Sequence, residues 1–141
     1  MQPNEIQAAS DSQHRSLATV WLILLVSQGL FLAFCLIFAP EDDAGFLYTF
    51  RWVIFVLALT LVIDSFVFKS KILSIAARQH KPAAVNNAYI LAFALSEATA
   101  LFGFLLRFSL FRYYYILFAV AAIAMLLHFP RKEAVLAAYE A

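Results

Sequence analysis

One carboxyl group stands out in this chain because it lies in the middle of an apolar stretch. Glu97 is the only charged residue between residues 83 and 106, a segment long enough to cross a bilayer. A charge at the centre of a membrane helix costs ~3 kcal/mol on insertion scales. Such residues usually face protein or water and mark ion or proton pathways. Glu97 is therefore the first candidate for chemistry, as a group that binds and releases a proton.

Three other polar residues could support this carboxyl. Gln28 lies at a similar depth in the first apolar segment, and we expect its amide to donate a hydrogen bond to Glu97. Ser96 and Thr99 lie beside Glu97 along the chain. The alternative for Glu97 is structural, because removal from water favours the neutral acid, and a neutral carboxyl can simply hold two helices together.

Asp64 is a further supporting candidate, placed ~9 Å from the middle of its segment at ~1.5 Å per residue. Lys71 follows it by two helical turns, so an ion pair at the membrane interface is the simpler interpretation. Arg51, Arg107 and Arg112 lie near the ends of apolar segments, where we expect their side chains to extend to the lipid headgroups.

Composition identifies an integral membrane protein. The chain is 65% hydrophobic and 13% charged, whereas soluble domains are roughly 25% charged. The net charge of +1 gives no field that would favour nucleic acid as a partner. The lipid bilayer is the expected surrounding.

Several kinds of chemistry have no support in the sequence. Phosphate-binding, dinucleotide-binding and zinc-protease motifs are absent, and His14, His80 and His128 lie in separate segments. No serine or cysteine has a base beside it, and Cys35 fits a packing role. We therefore expect no enzyme activity, no metal site and no cofactor.

Hydropathy divides the chain into a polar N-terminal tail (1–16), four spans and a polar C-terminal tail (130–141). The predicted spans are 17–39, 46–68, 83–106 and 113–129. Short connections predict antiparallel neighbours in a compact bundle. An acidic turn at 41–43 joins the first two spans, and the basic residues 69–82 can extend the second helix beyond the membrane. The predicted fold class is all-α, an integral membrane four-helix bundle.

Basic residues predict the orientation of this bundle. Seven fall on one side: Arg15, Lys69, Lys71, Arg78, Lys81, Arg131 and Lys132. Three fall on the other: Arg51, Arg107 and Arg112. This bias predicts that both termini and the 69–82 segment are cytoplasmic, in a bacterial-type inner or plasma membrane. Aromatic residues at 46–52 and 108–115 are expected to lie together at the opposite face.

A stripe of small residues runs along the third span. Ala88, Ala92, Ser96 and Ala100 recur every four residues, which lets another helix approach closely. One interpretation is packing within the chain. The other is a homo- or hetero-oligomer formed through the third helix.

The segment 77–105 carries a second pattern. Ala77-Arg78-Gln79 precedes Pro82, Glu97 follows Arg78 by 19 residues, and Phe102-Gly103 comes next. This order resembles the proteolipid c subunit of rotary ATP synthases and ATPases. That family has a helical hairpin with an Ala-Arg-Gln-Pro polar loop, then a membrane-buried carboxylate followed by an aromatic residue and a glycine.

The resemblance implies roles for particular residues. Glu97 would be the proton-binding carboxyl, and Arg78 and Gln79 would belong to the polar loop. Sodium-binding members place a hydroxyl directly after the carboxylate, whereas Ala98 stands here, so protons are implied. The chain departs from the family at residues 46–68, which lack glycine where the family's first helix is glycine-rich.

The leading functional prediction is a proteolipid-like, proton-translocating component of a larger membrane complex. The alternative is a structural or assembly subunit in which Glu97 is a buried packing residue. A stand-alone transporter is less favoured, because one buried acid provides a poor path for a substrate.

Overall fold

The computed structural model describes residues 3–38, 45–79 and 82–140, which form α-helices and no strand. The helices are α1 (Pro3–Ile37), α2 (Gly45–Gln79), α3 (Pro82–Phe108), α4 (Tyr114–Leu127) and α5 (Lys132–Glu140). The predicted all-α class is confirmed for these ranges.

The N-terminal segment is helical from residue 3, so the predicted polar tail at 1–16 forms the first part of α1. This part of α1 is held against the start of α5. Lys132 Nζ lies 3.3 Å from Asp11 Oδ1, and His14 Nε2 lies 3.1 Å from Pro130 O. The polar residues of the tail therefore have partners at the other terminus, which the sequence pattern alone did not indicate.

α2 runs beyond the predicted second span, through most of the basic segment 69–82. Arg78 and Gln79, the predicted polar-loop residues, are exposed on its last turn. The helix continues because this segment is made mostly of good helix formers, with no glycine or proline before residue 82. The predicted acidic turn at 41–43 lies outside the described residues.

Three of the described helices are long and apolar enough to cross a bilayer: Asn4–Ile37, Thr49–Ala76 and Ala83–Phe108. The predicted fourth span forms α4, an apolar helix of 14 residues. At 1.5 Å per residue α4 is ~21 Å long, against ~30 Å for the hydrocarbon layer. The lengths of the other three helices fit a membrane location.

α3 is the central helix and packs against α1, α2, α4 and α5. α1 and α2 share no contact among the described residues, although they are consecutive in the chain. The expectation that sequential spans are neighbours is therefore wrong for this pair. α3 and α4 contact each other, and each contacts both α1 and α2, so they lie between those two helices.

Contacts at the helix ends show that successive long helices alternate in direction. Arg107 Nε at the end of α3 donates to Cys35 O at the end of α1, at 3.0 Å. Trp52 near the start of α2 packs edge-on against Phe111, with ring centroids 5.0 Å apart. Asp11 and Lys132 lie near the two termini, and their contact is at the end of the bundle opposite Arg107 and Trp52. Both termini therefore share one end of the bundle.

Small side chains bring the central helices together. The stripe residues Ala88, Ala92, Ser96 and Ala100 are all 0% exposed within the single chain. Gly103 continues this face, where an added Cβ would lie 3.2 Å from Leu117 Cβ on α4. The stripe is therefore buried by packing within the chain.

The turn between α3 and α4 closes with a left-handed residue that is not glycine. Leu110 has φ 55°. Phe111 N donates to Leu106 O at 3.2 Å, and Leu110 N donates to Arg107 O at 3.3 Å. This pair of bonds is a Schellman motif, which commonly has glycine at the left-handed position. Phe111 and Leu106 also pack in one buried cluster, so the hydrophobic contact that accompanies the motif is present.

Candidate functional site

Glu97 lies at the seam between α1 and α3, halfway along the bundle. Its Oε1 is in hydrogen-bond contact with the hydroxyl of Ser27 on α1. The side chain is partly exposed, so the seam reaches the outside of the bundle. The sequence therefore located the carboxyl correctly near the middle of its helix but did not identify its partner.

The Ser27 hydroxyl has two possible acceptors. Besides Glu97 Oε1, its Oγ lies 3.0 Å from Leu24 O, one turn back on α1. A hydroxyl carries only one hydrogen. If Glu97 is protonated, its O–H donates to Ser27 Oγ, and Ser27 in turn donates to Leu24 O. Both contacts are then hydrogen bonds, whereas an ionised Glu97 would leave one contact without a proton.

Gln28 does not form the predicted hydrogen bond to Glu97. Its side chain is 3% exposed, and neither its Nε2 nor its Oε1 has a partner. Glu97 Oε2 is also buried without a partner. The prediction was wrong because Ser27, the preceding residue, faces the carboxyl. Three unpaired polar atoms thus remain at this level, where each costs several kcal/mol in hydrocarbon unless water or another group reaches it.

Ser96 and Thr99 are buried and bond to backbone rather than to Glu97. Ser96 Oγ donates to Ala92 O at 2.9 Å. Thr99 Oγ1 lies 3.0 Å from Leu95 O on its own helix and 3.1 Å from Ala58 O on α2. Thr99 therefore links α3 to α2 on the side away from Ser27.

The remaining predicted residues lie away from this seam. Asp64 is partly buried on α2, and no ion pair joins it to Lys71 in the part of the chain that the structure describes. Arg78 and Gln79 lie on the last turn of α2. No group of three or more His, Cys, Asp or Glu side chains within the described ranges could hold a metal ion.

A second polar cluster, which the sequence analysis missed, joins α2 to the end of α4. His128 is 0% exposed, and its Nε2 lies 2.8 Å from Ser65 Oγ. Ser65 Oγ donates to Val62 O at 2.6 Å, so it accepts from His128 Nε2–H. His128 Nδ1 then presents a lone pair to Lys69 Nζ, 3.5 Å away. One signal could have located this cluster, since His128 lies at the end of an apolar helix and would be buried with that helix.

Lys69 itself is held by aromatic and neutral groups. Its Nζ lies 4.5 Å from the centroid of the Tyr89 ring on α3, a cation–π contact. The Tyr89 hydroxyl accepts a hydrogen bond from Arg131 N at 3.3 Å. The cluster of Ser65, Lys69, Tyr89 and His128 therefore ties α2, α3 and the end of α4 together.

Comparisons of the chain with protein-family models, with curated proteins and with solved structures found no match.

Proposed function

We propose that this is a multi-pass membrane protein in which Glu97 takes up and releases a proton at mid-depth. It would act as a proton-translocating component of a larger membrane assembly. The observation that supports this most directly is the Ser27 hydroxyl with its two acceptors. Both contacts of the Ser27 hydroxyl are hydrogen bonds only when the carboxyl holds a proton.

Release of the proton also has a physical basis at this seam. Glu97 is partly exposed between α1 and α3, and its Oε2 has no partner. Water or a cation entering the seam would bond to that oxygen and favour the carboxylate. Ser27 could then donate to Oε1 in place of Leu24 O, so the site has a reasonable hydrogen-bond arrangement in both protonation states.

The protein would have a defined orientation in the membrane and would associate with other subunits. Both termini would be cytoplasmic, in a bacterial-type inner membrane, as the Lys and Arg distribution favours. α4 would complete a fourth crossing together with its flanking residues. Association with other subunits would use the lipid-facing side of α3, since the small-residue stripe is already buried. The exposed large hydrophobic residues of that side are Ile90, Leu91, Leu101, Leu105 and Phe108.

The second candidate is a structural or assembly subunit. Its support is that the Ser27–Glu97 contact joins α1 to α3, which the Arg107–Cys35 bond also joins. In that case a permanently neutral carboxyl would serve only to fix the position of α1.

Substitution at Glu97 separates the two candidates. Glu97→Gln can still donate from its amide to Ser27, but it cannot ionise. For a proton carrier it should fold normally and abolish proton flux into dye-loaded vesicles under an imposed potential. Glu97→Asp should retain part of the flux, because the acid is kept although it is withdrawn by one methylene.

Two controls complete the test. Ser27→Ala keeps the titrating group and should retain measurable flux. Wild-type flux that persists undiminished in Glu97→Gln would overturn the carrier role. Equal loss of folding in the Gln and Asp variants would instead favour the packing role, since it shows a geometric requirement unrelated to ionisation.

A further inference from the structure

A cleft opens between α2 and the end of α4, at the end of the bundle where the termini lie. Its volume is about 340 Å³. Its lining is half apolar and half polar: Phe66, Leu73 and Leu127 on one hand, and Lys69, Ser70 and His128 on the other. Phe66, Ser70 and Leu127 are exposed, so the cleft communicates with the outside of the bundle.

The cleft contains a positive charge that no carboxylate neutralises. Lys69 contacts the Tyr89 ring and the lone pair of His128 Nδ1, which are both uncharged groups in this arrangement. No acidic side chain pairs with Lys69 in the described ranges. Arg131 lies beside the cleft, where its backbone N donates to the hydroxyl of Tyr89, the ring that Lys69 contacts, so a second cation adds to the positive field. An ammonium group without a carboxylate partner in a half-buried site, with a second cation nearby, favours a bound anion.

The depth of the cleft matches the boundary between acyl chains and headgroups. Lys69 lies beyond the middle of the Thr49–Ala76 span by about seven residues, or ~10 Å of helix at 1.5 Å per residue. The hydrocarbon layer extends ~15 Å from its centre. An ammonium group just inside that edge is within reach of lipid phosphate groups, and lysine stems commonly lie along apolar surface to reach them.

We propose that this cleft binds the phosphate group of an anionic membrane lipid. Lys69 contacts the phosphate, Arg131 beside the cleft adds to the positive field, and the Ser70 hydroxyl donates to a phosphate oxygen. Phe66 and Leu127 pack against the first part of an acyl chain. The composition of the lining favours a lipid over free phosphate, because an inorganic ion would leave the apolar half of the cleft without a partner.

The test measures lipid binding to the purified full-length protein in mild detergent by native mass spectrometry. Phosphatidylglycerol, phosphatidylcholine and inorganic phosphate are titrated in separate arms. Phosphatidylglycerol should bind more tightly than phosphatidylcholine, and inorganic phosphate in excess should not displace it. Lys69→Gln should weaken phosphatidylglycerol binding on the order of tenfold, whereas Lys69→Arg should retain it.

Lys71→Gln is the matched control, since it removes an exposed lysine two residues away that does not line the cleft. It should change the affinity by less than about twofold. Arg131→Gln removes the second, exposed cation and should also weaken binding several-fold, which keeps the test decisive if Lys69→Gln does not fold. Equal losses in the Lys69 and Lys71 variants, or unchanged affinity in both the Lys69 and Arg131 variants, would overturn the site. Displacement of the lipid by inorganic phosphate would overturn its assignment to a lipid.

Discussion

The hydroxyl of Ser27 bonds to the carboxyl of Glu97 across two helices that run in the same direction and are separated by 70 positions in the sequence. This contact places the only charged residue of α3's apolar interior at a seam between helices. The carboxyl is therefore neither sealed in the core nor fully in lipid, and its reactivity can be tested directly.

Glu97 should react with a hydrophobic carbodiimide added to membranes. Such a reagent attacks the protonated carboxyl and reaches it through lipid, so one adduct should appear. Mass spectrometry of the intact chain measures the adduct. Asp64→Asn should still be labelled and Glu97→Gln should not. An unlabelled wild-type chain would mean that protein shields the carboxyl, which favours the structural role.

The two helical glycines with described surroundings should respond in opposite ways to alanine. Gly103→Ala places a Cβ 3.2 Å from Leu117 Cβ and from the Phe118 ring, so α3 and α4 must separate slightly. We expect a loss of ~1–3 kcal/mol in the free energy of unfolding. At Gly29 nothing lies within 4 Å of the added Cβ, so Gly29→Ala should stabilise by up to ~1 kcal/mol.

The free energy of unfolding of both variants is measured in mild detergent, with the helical circular dichroism signal monitored during unfolding. A stabilising effect at Gly103 would show that α4 moves away at little cost. The close approach of α3 and α4 would then not depend on the missing side chain.

Leu110→Gly should stabilise the protein, which is unusual for the loss of a leucine. The left-handed conformation costs a side-chain-bearing residue ~1–2 kcal/mol, and glycine avoids that cost. Leu110 is 45% exposed, so little packing is lost. We expect a net gain of ~1 kcal/mol in the free energy of unfolding.

Leu105→Gly provides the matched control for this substitution. Leu105 is 43% exposed but lies within α3, where glycine should destabilise by ~1 kcal/mol. The same unfolding measurement covers both variants. If Leu110→Gly and Leu105→Gly lower the free energy of unfolding equally, the gain expected from relieving the left-handed residue is wrong.

Cysteine labelling tests the orientation in the membrane. In a Cys35→Ser background, Gln79→Cys and Arg112→Cys place exposed thiols at opposite ends of the bundle. An impermeant maleimide should label position 112 on intact cells and position 79 only after permeabilisation. The reverse pattern would put the termini outside.

Hydropathy was enough to predict the four apolar segments of α1 to α4 and the position of Glu97 along its helix, because both depend on the number of residues along a span. The partner of Glu97 depends on rotation of α1 about its axis, and one residue changes that rotation by ~100°. α1 is apolar on its outer face as well as its inner face, so no periodicity distinguishes Ser27 from Gln28. The Lys69–His128 contact was equally hidden, since it joins residues far apart in the sequence at two helix ends.

Because α1 does not contact α2 within the described ranges, we expect it to be less firmly packed than the rest of the bundle. α2, α3 and α4 contact one another, whereas α1 attaches along one side, through α3, α4 and the terminal α5. Amide hydrogen exchange should therefore show α1 opening as a unit at lower free energy than the other three. Glu97 lies where α3 meets α1, so a partner protein that binds α1 could control how often water reaches the carboxyl.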